Sequence, residues 1–206
     1  MLLKVVLLFV AGVVAFTIPD GQPNGIYEVS YDASGVETHT LISHNVTSRG
    51  LVNSAKFPKR SFSSGTASKF ASAVLYRCSI TRLYKTSKNV DRDDYLACAG
   101  EPLLNAGDTD AANSLLDGYC GEGRTVTPYY DAYALYDCTV SYFCNFYNGP
   151  AYCSASQRQE ATENVAQVCG SYVPGWWTFV DVDVDASYGS EYYCTLPGQD
   201  FCGHSH

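Results

Sequence analysis

The side chains first considered for acid–base chemistry are the four histidines, His39, His44, His204 and His206. A Ser-His-Asp or Cys-His nucleophile needs its base held rigidly within hydrogen-bond reach. His39 and His44 fall in a stretch read below as a pro-segment. His204 and His206 sit in a Gly-His-Ser-His tail, and chain ends are where order is least expected. Paired carboxylates are the other route to hydrolysis. Seventeen Asp and Glu follow Arg60, enough for a general acid and base about 5–9 Å apart, but no local motif singles out two of them. Asp181, Asp183 and Asp185 alternate in a way that resembles a calcium loop. Such a loop needs Gly at its sixth place and Glu at its twelfth, where this chain has Ala186 and Tyr192. The three aspartates therefore read as the solvent face of a strand, whose charge discourages edge-to-edge pairing. No metal, cofactor or glycine-rich phosphate loop is expected. Tyr129, Tyr130, Tyr133, Tyr136, Tyr142, Tyr147 and Tyr152 form a cluster that either packs a small core or offers a glycan-binding platform.

Nine cysteines carry the clearest chemistry: Cys78, Cys98, Cys120, Cys138, Cys144, Cys153, Cys169, Cys194 and Cys202. There is no C-x-x-C pair, which disfavours zinc. The chain opens with Met-Leu-Leu-Lys and an apolar run from Val5 to Phe16, with Val13 and Ala15 small enough for a cleavage site. The run falls short of the ~20 residues that span a bilayer. Residues 1–15 read as a secretory signal peptide, so the product is expected outside the cell and its cysteines form a disulfide framework. Which cysteines pair stays open. The odd ninth thiol is either free or joins a second chain as a disulfide-linked dimer.

All cysteines and both tryptophans follow the dibasic pair Lys59-Arg60. Lys-Arg is the cleavage signal of secretory-pathway proteases of the Kex type, and it stands where the composition changes. Residues 16–60 accordingly read as a pro-segment with few core-forming clusters, carrying the glycosylation sequon at Asn45. The chain from Ser61 holds 17 acidic against 8 basic side chains. That excess disfavours nucleic acid and anionic membranes as partners, because both are bound through positive charge. The charge is uneven. Lys69, Arg77, Arg82, Lys85, Lys88 and Arg92 make residues 61–92 a basic arm or extra strand, whereas residues 93–206 have only Arg124 and Arg158 against sixteen acids.

Elements must then position these groups. Residues 71–87 are ambiguous between strand and helix, with strand weakly preferred, and 93–100 is a short strand. Residues 108–121 read as a helix capped by Asp108 and ended by Gly121, burying Ala111, Leu115, Leu116 and Tyr119. Residues 137–146 alternate as a strand, with Cys138, Val140, Tyr142 and Cys144 on one face and Thr139, Ser141 and Phe143 on the other. The aromatic stretch 129–136 is its hairpin partner. Residues 154–170 form a second helix with a Ser156-x-x-Gln159 capping box and an inner stripe of Ala161, Val165, Val168 and Cys169. Residues 175–185 read as one strand and 190–196 as the last. Both helices end in Cys-Gly, at Cys120-Gly121 and Cys169-Gly170, and each helix-end cysteine is placed to staple its helix to a sheet. The predicted class is α+β: a two-layer sandwich with an antiparallel sheet, two helices on one face, and a β-α-β-β-α-β-like pseudo-repeat held by disulfides.

The signal peptide, the Lys-Arg-ended pro-segment and a small acidic cysteine-rich body resemble a secreted fungal effector with a Kex-processed pro-domain. Within residues 93–202, the doubled helix-Cys-Gly-strand plan with "YFCNF", "VAQVCGSYVPGWW" and "YYC" resembles the killer-toxin-like α/β sandwich. The resemblance implies action on another cell, a plant host or a competing microbe, by binding a protein or glycan there rather than by catalysis. A small acid-type hydrolase on cell-wall polysaccharide and a lectin-like glycan binder are the alternatives. No catalytic residue is carried over.

Overall fold

The computed structural model describes residues 16–44, 84–85, 94–100, 102–128, 130–147, 149–181, 184–194 and 199–202. The first strands come from the stretch ahead of Lys59-Arg60: β1 (Phe16–Thr17), β2 (Gly25–Tyr31) and β3 (Glu37–Ser43). After β4 (Tyr84–Lys85) and β5 (Tyr95–Cys98) comes α1 (Ala106–Cys120). Then follow β6 (Arg124–Val126), β7 (Tyr130–Tyr136), β8 (Thr139–Asn145) and β9 (Ala151–Cys153). The chain ends with α2 (Ala155–Cys169), β10 (Gly175–Asp181), β11 (Val184–Tyr192) and β12 (Asp200–Phe201). One antiparallel sheet runs in the order β3-β2-β7-β8-β11-β10-β5, with the two-residue β4 on its last edge. Two small ladders, β1-β12 and β6-β9, stand apart from it.

Both helices bury side chains in the same cluster. Leu115, Leu116 and Cys120 of α1 and Ala161 and Val165 of α2 pack with Ala132, Phe143, Trp177, Phe179 and Tyr188 on one face of the sheet. The opposite face carries Tyr27, Val29, Tyr133, Val140, Tyr142 and Trp176, closed over by Phe16, Ile18, Phe201 and Cys202. Strand β8 consequently has every residue buried. The expected alternation holds, with Val140, Tyr142 and Cys144 in one cluster and Phe143 in the other. The tyrosine cluster divides: Tyr133 and Tyr142 are core, Tyr136 and Tyr147 are half-buried, Tyr130 and Tyr152 are exposed, and Tyr129 lies outside the described residues.

The N-terminal stretch departs furthest from the sequence reading. Phe16, Ile18, Ile26, Tyr27 and Val29 are buried, so the stretch does supply core-forming clusters. Strand β2 is an inner strand, paired with β7 from Gly25↔Leu135 to Ser30↔Tyr130. Burying a large apolar side chain contributes about 1.5–3 kcal/mol, so these five together contribute on the order of 10 kcal/mol. Lys59, Arg60, Asn45, the signal peptide, most of the basic stretch 61–92 and the histidine tail lie outside the described residues.

Helix starts also shift. α1 is capped at Asn105, whose side chain accepts from the Gly107 and Asp108 N–H groups, so this Asn three residues upstream takes the capping role expected of Asp108. Ala112 and Cys120, not Ala111, complete its buried stripe. α2 is capped by Ser154 accepting from the Gln157 N–H at 3.2 Å rather than by Ser156. Val168 lies 40% exposed and Arg158 takes a place in the buried stripe. The segment 175–185 is not one strand. Residues 184–192 run back antiparallel along β10, with Asp181 and Val184 the last paired positions. Hairpins are usually signalled by Asn-Gly or Asp-Gly, and the sequence "DVDVD" contains neither.

Four disulfides join these elements: Cys98–Cys169, Cys120–Cys153, Cys138–Cys194 and Cys144–Cys202. The helix-end cysteines act as expected, Cys169 tying α2 to β5 and Cys120 tying α1 to β9. Bridges of this kind typically contribute about 2–4 kcal/mol each. The remaining thiol, Cys78, lies outside the described residues. Among the described residues no helix is long and apolar enough to cross a membrane.

Two predictions follow from the face covered by β1 and β12. A Cβ on Gly189 would lie 2.3 Å from the Tyr142 ring and hydroxyl. That ring is pinned, because the Tyr142 hydroxyl donates to Glu191 Oε1 at 2.5 Å. Gly189→Ala should therefore destabilise by about 1–3 kcal/mol in urea titration, and an unchanged midpoint contradicts the packing described. Asp131 is 3% exposed, accepting from the Asn145 N–H at 2.8 Å and the Tyr31 hydroxyl at 3.0 Å. Burial pushes its carboxyl up to about 7; those two donors oppose the rise and Glu37 adds to it. A raised folded value means that the native state holds the proton more tightly. The stability contributed is complete below about pH 4 and is lost as pH rises through about 7. Thermal melts should show Asp131→Asn removing this decline between acid and neutral pH, and parallel profiles for the two proteins would refute the assignment.

Candidate functional site

An open cleft of about 540 Å³ lies between α1 and α2, floored by β10 and β11. It exists because the helices touch the sheet along separate stripes and meet each other through few side chains. Gly175 allows α2 to approach the floor: a Cβ there would sit 2.5 Å from the Ala97 carbonyl and 3.0 Å from Val165. From α1 come Asp110, Asn113 and Asp117, spaced three and four residues apart and hence on one face. From α2 come Arg158, Gln159, Thr162 and Glu163, and the segment after α2 adds Tyr172.

Arg158 is the cation of this cleft, and it is 6% exposed. Its Nη2 donates to Asp117 Oδ2 at 2.7 Å and its Nε to Asp117 Oδ1, a bidentate clamp between the helices. Nη1 donates to Thr162 Oγ1 at 3.1 Å, and Gln159 Nε2 adds a bond to Asp117 Oδ2 at 3.1 Å. The guanidinium is thereby committed to protein partners. Arg124, the other cation in the acidic body, is committed as well: its Nη2 donates to Glu28 Oε1 at 2.8 Å and its guanidinium lies 4.1 Å from the Tyr119 ring centre.

The rest of the lining presents neutral donors and acceptors with two further acids. The Tyr172 hydroxyl reaches both oxygens of Asp110 at 3.4 Å. Burial raises the Asp110 carboxyl above its usual range, against the opposing influence of the Tyr172 hydroxyl and Arg158. The Ser190 hydroxyl donates to Asn113 Oδ1 at 3.2 Å from the floor. Tyr188 anchors the floor to α2, its hydroxyl accepting from the Ser154 N–H at 2.9 Å and donating to Gln157 Oε1 at 3.1 Å. Leu104, Val165 and Val173 give the cleft its apolar wall.

None of these cleft residues stood out in the sequence as a site. The available signal was Arg158, one of two cations among sixteen acids, together with the helical spacing of Asp110, Asn113 and Asp117. His39 is half-buried on β3, near the Tyr133 hydroxyl at 3.2 Å and Glu37 Oε2 at 3.2 Å, and does not line the cleft. Among the described residues, Asp131, Cys144 and Cys202 are grouped closely enough for metal binding. The two sulfurs are bonded to each other, however, and offer no thiolate. Comparison with protein-family models, curated proteins and solved structures finds no match in any of the three.

The clamp generates a prediction. Asp117→Ala strands a buried guanidinium and should cost about 3–5 kcal/mol in denaturant unfolding, whereas replacing both Asp117 and Arg158 with leucine should recover most of that loss. A double variant no more stable than Asp117→Ala would show that the pair does more than satisfy its own charges.

Proposed function

We propose that the protein is a secreted effector or killer-toxin-like protein that acts on another cell by binding, with the α1–α2 cleft holding a neutral glycan. The observation that carries this reading is the committed state of Arg158. With that guanidinium engaged by Asp117 and Thr162, the cleft offers an incoming ligand carboxylates, amides and hydroxyls but no available charge for an anion. Sugar hydroxyls are both donors and acceptors and match such a lining, while Tyr172 and the valines supply an apolar surface for a ring face. Four disulfides suit an oxidising extracellular setting. The two stapled helices on one sheet support the killer-toxin-like sandwich as the finer fold assignment. Processing at Lys59-Arg60 by a Kex-type protease and glycosylation at Asn45 belong to the same reading.

A second reading rests on Asp110. A carboxyl held toward its neutral form is what a general acid requires, and Glu163 lines the same cleft as a potential partner. This is the small acid-type hydrolase on cell-wall polysaccharide.

A glycan array followed by titration calorimetry tests the first reading. A retained glycan should lose about tenfold in affinity with Asn113→Ala or Asp110→Ala. An array without hits removes the glycan reading. Turnover of a polysaccharide that disappears in Asp110→Asn, with the fold preserved, replaces binding by hydrolysis.

A further inference from the structure

Residues 16–43 contain no cysteine, so no disulfide ties them to the body. They are nevertheless held along two separate ladders. β2 lies between β3 and β7, and β1 pairs with β12 through Phe16↔Phe201 and Thr17↔Asp200. Side chains seal the junction on both faces of the sheet. Phe16 and Tyr27 both stack on Tyr133, their ring centres 5.2 Å and 4.9 Å from it. On the helix face, Glu28 Oε1 accepts from the Tyr119 hydroxyl at 2.7 Å and from Arg124. Polar contacts close the margins: the Tyr193 hydroxyl donates to the Pro19 carbonyl at 3.0 Å, and the Asp137 N–H to Asn24 Oδ1 at 2.9 Å.

Removing this segment would turn β7 into an open edge beside an uncovered aromatic floor, the kind of surface that recruits foreign strands. The geometry points to a different fate. We infer that residues 16–43 remain in place after cleavage at Lys59-Arg60 as a non-covalent strand-donating chain, so that the working protein is two chains, 16–60 and 61–206. The cut is hydrolysis of the Arg60–Ser61 peptide bond by a Kex-type protease, water supplying the new carboxylate oxygen and the amine hydrogen. The inference rests on the reading of Lys59-Arg60 as a processing signal. The strand-accepting edge of β7 is a docking surface whose occupant is the chain's own N-terminal segment.

The test uses the purified full-length secreted protein. After treatment with a Kex-type protease, size-exclusion chromatography in native buffer should give one peak containing both masses. In concentrated guanidinium chloride without reductant, the same sample should separate into two. In the cut protein, Val29→Asp should release the N-terminal piece at a protein concentration at least tenfold higher than that at which the cut wild type dissociates. A native peak of 61–206 alone, folded and separated from 16–60, overturns the inference. If the protease leaves the chain intact, the processing reading fails on its own. A variant with a thrombin sequence in place of residues 57–60 is then cut instead, and the same two columns decide whether the segment stays.

Discussion

The fold depends on a sheet whose central strands are buried on both faces. Such a sheet cannot present one side to water, so two covers are needed. The chain meets the requirement asymmetrically. Two amphipathic helices cover one face, each stapled at its C-terminal cysteine. On the other face, the cover is a thin aromatic lid drawn from the beginning and end of the described chain, Phe16 and Ile18 with Phe201 and Cys202. The thick cover leaves a cleft between its two cylinders. The thin cover shelters Asp131, whose buried carboxyl is pushed up to about 7.

The two cations of the acidic body show how sparse positive charge is used. Arg158 bridges helix to helix through Asp117, and Arg124 bridges the body to β2 through Glu28. Neither is left to steer an anionic ligand. Asp110 and Glu163 line the cleft beside the committed Arg158.

Legibility in the sequence followed local strength of signal. The helices, the β7-β8 hairpin and the stapling role of Cys120 and Cys169 were readable because periodicity, Cys-Gly ends and alternation are short-range. The break between β10 and β11 was not, since the alternation of Val and Asp runs unbroken from 180 to 185. The role of residues 16–43 was not readable for a different reason. Their apolar residues are few, and their burial comes from partners about a hundred residues away, such as Asp131 for Tyr31. The cleft was hidden likewise, because Arg158 and Asp117 lie on different helices and only the packed pair reveals a site.

The pairing of β1 with β12 has a consequence for how the molecule is made. Phe16 emerges from the ribosome among the first residues of the folded part and Phe201 among the last. Until Phe201 and Cys202 arrive, the aromatic side of the sheet stays open and Cys144 lacks its partner. Long-range closure of this sort slows folding and prolongs exposure of unpaired edges. Closure of the aromatic side must therefore await the β12 segment, and the Cys144–Cys202 bridge cannot precede it.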